Sequence, residues 1–369
     1  MRERSLRSES NTAPAPRDEA AGFDGTEERG AVVSDTTTER EAAAPAQAPP
    51  EKSRSGWIQR IDLRLTALIG VLVVLVAVGY FLKPDQFLSE SNISTMLRLA
   101  AAIGVVSVGM TFVIISGGID LSVGSMVALA SVWMTTLATQ SYGPAVMVIC
   151  ALAVGLVCGL INGTLIAYGK IVPFIATLAM YASAKGLAER LSQRQTQVVK
   201  GQSFLTFFRG DFLGIPTLIW MVAVVYVIGW VVLNRTTFGR RTFAVGGNAE
   251  AARLAGINVK LHTALVYGIA GLCCGIAAII VVARTTSGAS SHGLFYELDA
   301  IAAVVIGGTL LTGGRGTLIG TLIGVLIFTV VNSIFTQNNL ETDIQQIAKG
   351  VIIIAAVLLQ YGTTRTRKT

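Results

Sequence analysis

Ile115-Ser-Gly-Gly-Ile-Asp-Leu-Ser-Val-Gly-Ser125 places an aspartate, serines and three glycines between two apolar runs, each long enough to enter a membrane. A carboxylate at the centre of a membrane helix costs about 2.5–3.5 kcal/mol on insertion scales, so Asp120 is expected to face protein or water rather than lipid. Glycines clustered at the same depth point to an interrupted helix with close backbone contact. Asp120 also suits a cap, because a carboxylate can accept backbone N–H groups at the start of the next helix.

The surrounding composition agrees with a membrane setting. Hydrophobic residues make up 52% of the 369 residues and charged residues 14%, with a mean hydropathy of +0.62. That excludes an ordinary soluble protein and indicates an all-α polytopic membrane protein. Residues 1–56 hold 8 Lys or Arg against 11 Asp or Glu, so the basic excess of the chain belongs to the remainder. The cations sit in short loops and at the C-terminus, without stacking aromatics beside them, which indicates positive-inside orientation and argues against nucleic acid as a partner. Cys150, Cys158, Cys273 and Cys274 lie in apolar runs without ligand spacing and read as small buried apolar residues.

Three regions follow. Residues 1–56 are rich in Ala, Glu, Arg, Thr and Pro, show no apolar period and are expected to form a disordered cytoplasmic tail. Residues 57–362 form the transmembrane domain, and 363–369 a basic C-terminus. Apolar runs occur at about 63–82, 97–115, 123–138, 144–167, 172–188, 215–233, 261–283, 298–311, 317–336 and 344–361. At the usual span length of ~20 residues these give roughly ten transmembrane helices, with eight the lower bound. Lys52, Arg54 and Arg60 put the N-terminus inside, and ten crossings return Arg365, Arg367 and Lys368 to that side, with 234–260 also cytoplasmic. Arg190, Arg194, Lys200 and Arg209 then fall outside, so either 189–214 is re-entrant or the count errs by one. The short 298–311 run and the glycines after it suggest a hairpin of partial helices.

Ser116–Ser125 and Thr312–Thr321 align without gaps, each reading hydroxyl, Gly-Gly, six residues, hydroxyl. Internal repeats are common in transporters, where their interface encloses the substrate path. Gly117, Gly118, Asp120, Ser122, Gly124 and Asn162 are therefore the candidate path or gate residues. Gly307, Gly308, Gly313, Gly314, Gly316 and Gly320 form a second group, for packing or gating. Gly155, Gly159 and Gly163 share one helical face, as do Gly316, Gly320 and Gly324, which suits tight packing inside one subunit better than a dimer seam. Asn162 and Asn332 read as interhelical hydrogen-bond partners; Lys185 and Lys349 are further polar residues in or near apolar runs.

Asn234–Gly256 supplies the second informative segment. Asn248 can cap a short helix whose first turn carries Glu250, and Gly256 can end it. A free helix of that length is marginal in water, so it is expected to dock on something. The chain lacks G-x-x-x-x-G-K-[ST], H-E-x-x-H and G-x-S-x-G, so it is expected to bind no ATP or other cofactor and to act as no hydrolase.

Three blocks together resemble the permease subunits of ribose-type ABC importers: Gly109–Ser125, Ala244–Asn258, and Tyr296–Gly308 running into Thr312–Gly316. Asn162-Gly163, Pro173-Phe174 and Lys349-Gly350 fit as well, and the resemblance covers about residues 60–362. It implies a multi-pass protein of the cytoplasmic membrane that imports a monosaccharide or related polyol. It also implies an ABC ATP-binding subunit that uses the ATP, an extracytoplasmic sugar-binding protein, and a second permease, identical or related. Gly246, Gly247, Asn248, Glu250, Ala251, Ala252, Arg253 and Gly256 would then form the element coupled to the ATPase. The sequence leaves pentose, hexose, polyol and cyclic furanone-type substrates open. The rival readings are a gradient-driven secondary transporter using Asp120, weakened by the lack of further intramembrane carboxylates, and an ATP-independent channel or facilitator, which gives the 244–256 helix no role.

Overall fold

The computed structural model describes residues 55–365. The expected tail, apart from Ser55 and Gly56, and residues 366–369 lie outside the described residues. In chain order the elements are α1 (Ser55–Leu82), α2 (Pro84–Phe87), α3 (Glu90–Ile115), α4 (Val123–Met134), α5 (Leu137–Ser141), α6 (Pro144–Ala167) and α7 (Pro173–Ser192). Next come β1 (Gln197–Val198), α8 (Gln202–Arg209), β2 (Asp211–Phe212), β3 (Ile215–Pro216) and α9 (Thr217–Arg235). Then follow α10 (Thr237–Gly247), α11 (Ala249–Leu254), α12 (Val259–Thr285), β4 (Ser287–Gly288), α13 (Tyr296–Ile306), α14 (Leu318–Gln337) and α15 (Thr342–Arg365).

Every apolar run of the sequence falls on a helix. Among the described residues, six helices are long and apolar enough to cross a membrane: Leu65–Leu82 within α1, and α3, α6, α9, α12 and α14. The run at 123–138 is cut at Met134, because Thr136 caps α5 by accepting the Thr139 amide. Local signals explain other boundaries: Ser89 caps α3, Thr317 caps α14, and prolines occupy the first turns of α6 and α7, where no amide partner is needed.

The core is built on α3 and α12. From Ala100 onward α3 is buried at every position, and α4 is buried from Val123 to Val132. Helix α6 packs antiparallel on α12 through its glycine face: a methyl group at Gly159 would stand 2.9 Å from Gly271 Cα, and one at Gly163 would stand 2.6 Å from Ala264 Cα. Gly320 and Gly324 likewise press α14 against Ala303 and Gly307 of α13. Both small-residue faces are thus used inside one chain, where close backbone approach supplies the van der Waals contact that drives helix association in lipid. Apolar residues such as Val73 and Val74 on α1, Val227 on α9 and Ile354 on α15 are left exposed on the outside of the bundle, as a membrane setting allows.

The 189–214 segment is not a membrane helix. It carries α8 and two short strands; β1 pairs antiparallel with β4, with Gln197 opposite Gly288, and β2 pairs with β3. Because β4 follows the end of α12 whereas α11 precedes its start, this segment lies at the end of the bundle opposite α10 and α11.

The short length of α13 has a visible cause. Residues 286–295 run as an irregular strap along α4, from Ser131, where the hydroxyl donates to Ala289 O (3.3 Å) and hydrogen-bonds with His292 Nδ1 (3.2 Å), down to Gly124, which abuts Gly293. Lys185 of α7 donates to the Ser290 carbonyl. Helix α13 therefore starts beside the first turn of α4, already deep in the bundle. Irregular backbone at that depth is tolerated because protein surrounds it.

Candidate functional site

The loop Ser116–Ser122 between α3 and α4 contains the first candidate group. Asp120 is fully buried. Its Oδ1 accepts from the Ser122 amide (2.9 Å) and the Ser122 hydroxyl (2.6 Å), and the same hydroxyl accepts from Asn162 Nδ2 of α6 (2.8 Å). Tyr267 OH donates to Ile119 O (3.4 Å) and closes over Gly118, where a methyl group would strike it. Asp120 thus fixes the tight turn at Ser122, the N-cap residue of α4, but accepts no amide from the first turn of the helix itself. Asn162 ties α6 to this turn as an interhelical partner. Asn332 Oδ1, like Asn162 Oδ1, has no hydrogen-bond partner among the described residues.

Asp120 is not the isolated carboxylate the sequence suggested. Glu297 and Asp299, in the first turn of α13, are also buried, and Glu297 Oε2 faces Gly124. Asp299 pairs with Lys349 of α15 at 3.3 Å. Asp120 Oδ2, Asn162 Oδ1 and Glu297 Oε2 have no hydrogen-bond partners among the described residues. The signal for Glu297 and Asp299 was present in Tyr296-Glu-Leu-Asp299, at the edge of the apolar run. What the sequence could not show is that the strap carries this edge into the bundle interior.

The second group lies on α10 and α11. Thr236 caps α10, and Asn248 Oδ1 accepts the Ala251 amide (2.9 Å) to start α11. Gly256, with φ of 83°, ends the turn in the left-handed region that favours glycine. Asn248, Glu250, Ala251, Arg253 and Leu254 are exposed, whereas Ala252 is buried. Glu250 and Arg253 form an ion pair at 2.6 Å, and the Arg253 guanidinium holds the Glu250 carboxyl below the usual carboxylate range.

The third group joins the other two. The end of α3, the end of α10 and the 307–317 loop meet backbone to backbone. Gly314 N donates to Ile115 O (2.8 Å). A methyl group at Gly313 would stand 2.7 Å from Gly246 O and 3.0 Å from Gly117 Cα; one at Gly314 would stand 2.9 Å from Gly247 Cα; one at Gly246 would strike Ile115 O. Gly117 and Gly313 both have positive φ, near 85°. The two aligned glycine motifs of the sequence therefore touch each other, with Gly246 between them. Gly307 and Gly320 seal α13 against α14, Gly316 abuts Thr309, and Gly308 turns the chain with φ of 88°.

Residues 92–357 match the family described as branched-chain amino acid transport system / permease component. The chain belongs to this permease family. It is 42% identical to the ribose import permease protein of Bacillus subtilis (strain 168) over 298 residues, covering 80% of this chain and 92% of the relative. The Escherichia coli (strain K12) ribose import permease protein is 39% identical over 292 residues, covering 78% and 91%. The galactose/methyl galactoside import permease protein of the same organism is 36% identical over 312 residues, with the same coverage. No solved structure matches the chain. All three groups of candidate residues lie inside the family match, so the glycine junction and the buried Asp120 turn are part of the permease body.

Proposed function

We propose that this permease is the membrane-spanning subunit of an ATP-driven importer that moves a monosaccharide or related small polyol across the cytoplasmic membrane. The observation that carries the reading is the glycine junction. An exposed, capped helix, α11, is joined through Gly246 to the broken segments after α3 and before α14. A partner that shifts α11 shifts both breaks together, because backbone packed on backbone leaves no side-chain slack. The ATP is hydrolysed in a separate ABC ATP-binding subunit docked on α11, and this chain binds no cofactor. An extracytoplasmic sugar-binding protein delivers substrate at the opposite end, and a second permease, identical or related, completes the pathway.

In this reading α1, α3, α4, α6, α7, α9, α12, α13, α14 and α15 make ten crossings, with α4 and α13 as partial helices. Both termini and 234–260 are cytoplasmic, and 189–214 is external. The sugar class comes from the names of the ribose and galactose relatives.

The buried, partly unpartnered Asp120 and Glu297 favour a second reading, a gradient-driven transporter in which they take up a cation. It leaves the exposed α11 without a role. Purifying the tagged chain from native membranes in mild detergent separates the two. Recovery with an ABC ATPase and a soluble sugar-binding protein supports the importer; recovery alone, with uptake driven by an ion gradient, supports the second reading.

A further inference from the structure

The segment 197–216, at the end of the bundle opposite α11, carries four cations in its neighbourhood and an unusual display of apolar side chains. Phe207, Phe212 and Leu213 are 67%, 61% and 78% exposed. Leu213 and Gly214 are the two central residues of the β2–β3 hairpin, with φ of 54° and 75°. Two successive positive φ values make this a type I′ turn, whose ordinary first residue is Asn, Asp or Gly. A leucine there costs about 1–3 kcal/mol in backbone strain. A hairpin meant for water has no use for that choice.

The surroundings show what the tip meets. Strand β3 runs straight into α9, one of the helices apolar and long enough to cross the membrane. The exposed large apolar residues of α9 are Trp220, Val224, Val227, Ile228 and Val231, one stripe at helical spacing. Trp220 stands at the top of that stripe; its ring packs edge-on against Phe212 (6.1 Å), and its indole N–H donates to Phe212 O (3.0 Å). The hairpin tip thus continues the lipid-facing surface of α9 upward. Nearby, α8 and the start of α6 border an open cleft of about 450 Å³ lined by Pro144, Val148, Phe204, Phe207, Phe208 and the 64% exposed Ile149.

We propose that α8 and the β2–β3 hairpin lie in the interfacial layer of the bilayer, with Phe207, Phe212, Leu213 and Ile215 among the lipid chains, an acyl chain in the α6–α8 cleft, and Lys200 and Arg209 on lipid phosphates. Lys200 and Arg209 are exposed and join no ion pair among the described residues. Trp and Phe at headgroup level with a basic rim are the chemistry of an interfacial anchor. Anionic headgroups also give these cations a reason to sit on the side that positive-inside orientation disfavours.

The test uses the full chain in lipid nanodiscs containing phosphatidylglycerol. In a Cys150→Ser background, an environment-sensitive fluorophore is attached at Leu213→Cys or, as a control in the same segment, at the exposed Gln195→Cys. The expected result is quenching of the Leu213 site by brominated acyl chains, and an iodide quenching constant severalfold lower than at the Gln195 site. Equal access of iodide to both sites, with no quenching by brominated lipid, overturns the proposal. Shielding of the Leu213 site that appears only when a soluble protein is added overturns it too, in favour of a docking face for that protein.

Discussion

Gly314 donates its amide to the carbonyl of Ile115 across 2.8 Å, binding the loop before α14 to the last residue of α3. The bond ends α3 on a partner instead of leaving a terminal carbonyl unpaired. It also puts the two Gly-Gly motifs in contact at the point where Gly246 delivers the α10–α11 segment. The end of α10 is thereby in backbone contact with the loops after α3 and before α14.

A methyl group at Gly246 collides with Ile115 O, whereas one at Gly247 meets nothing within 4 Å. Gly246→Ala is expected to lower stability by about 1–3 kcal/mol, the range for overpacking a tight site. Gly247→Ala is expected to stay within about 0.5 kcal/mol, as for a surface change. Thermal unfolding of the two variants in detergent, side by side, measures this, and equal loss in both would contradict the junction.

Glu250 is exposed and held ionised by Arg253. Its folded-state pKa lies below its unfolded value. The ion pair therefore contributes above the ordinary glutamate range and is lost only as pH falls through the depressed value. Between pH 7 and 5.5, partner binding by α11 is expected to be insensitive to this group. Glu250→Lys is expected to leave the amount of protein in the membrane unchanged and to abolish ATP-coupled transport. Normal transport by that variant would sink the coupling role of α11.

Ser122 Oγ donates to Asp120 and accepts from Asn162, so the three side chains act as one chain of bonds. Ser122→Ala and Asn162→Ala are expected to be non-additive, with a coupling of about 0.5–1.5 kcal/mol, typical of buried hydrogen bonds in membrane proteins. Asp120→Asn keeps an acceptor for Ser122 and is expected to preserve the fold. Its transport activity then reports whether the charge itself is needed. A zero coupling in the double-mutant cycle would mean that the relay has no energetic weight.

Lys349 pairs with the buried Asp299 at the α13–α15 contact. Lys349→Met strands a carboxylate in the interior and is expected to cost about 3 kcal/mol. Adding Asp299→Leu should restore most of that loss, because an apolar pair needs no desolvation. Denaturation of the single and double variants checks both halves of this expectation.

Much of the fold was legible because lipid permits so few solutions: each of the ten apolar runs carries helix, although 123–138 is broken after Met134, 298–311 is helical only to Ile306, and six helices among the described residues are long and apolar enough to span. The break at Gly117–Ser122 and the capped helix at Asn248 were legible because glycines and short polar caps act locally. The junction was not, since Ile115, Gly246 and Gly314 are far apart in sequence and nothing local says that they meet. Glu297 was passed over because its place at the edge of an apolar run suggests a solvent boundary, and only the strap along α4 brings it inside. Segment 189–214 gave ambiguous topology because its cations ran against the inside bias of the other loops, while its two-residue strands left no periodic signal.

The most direct measurement is uptake of radiolabelled ribose and galactose into proteoliposomes holding this chain with the ATPase and sugar-binding protein that co-purify with it. Uptake of at least one of these sugars that requires ATP on the α11 side, and vanishes in Glu250→Lys without loss of the complex, is the expected result. Uptake that proceeds without ATP on an imposed ion gradient, and is unchanged by Glu250→Lys, would contradict an ATP-driven permease.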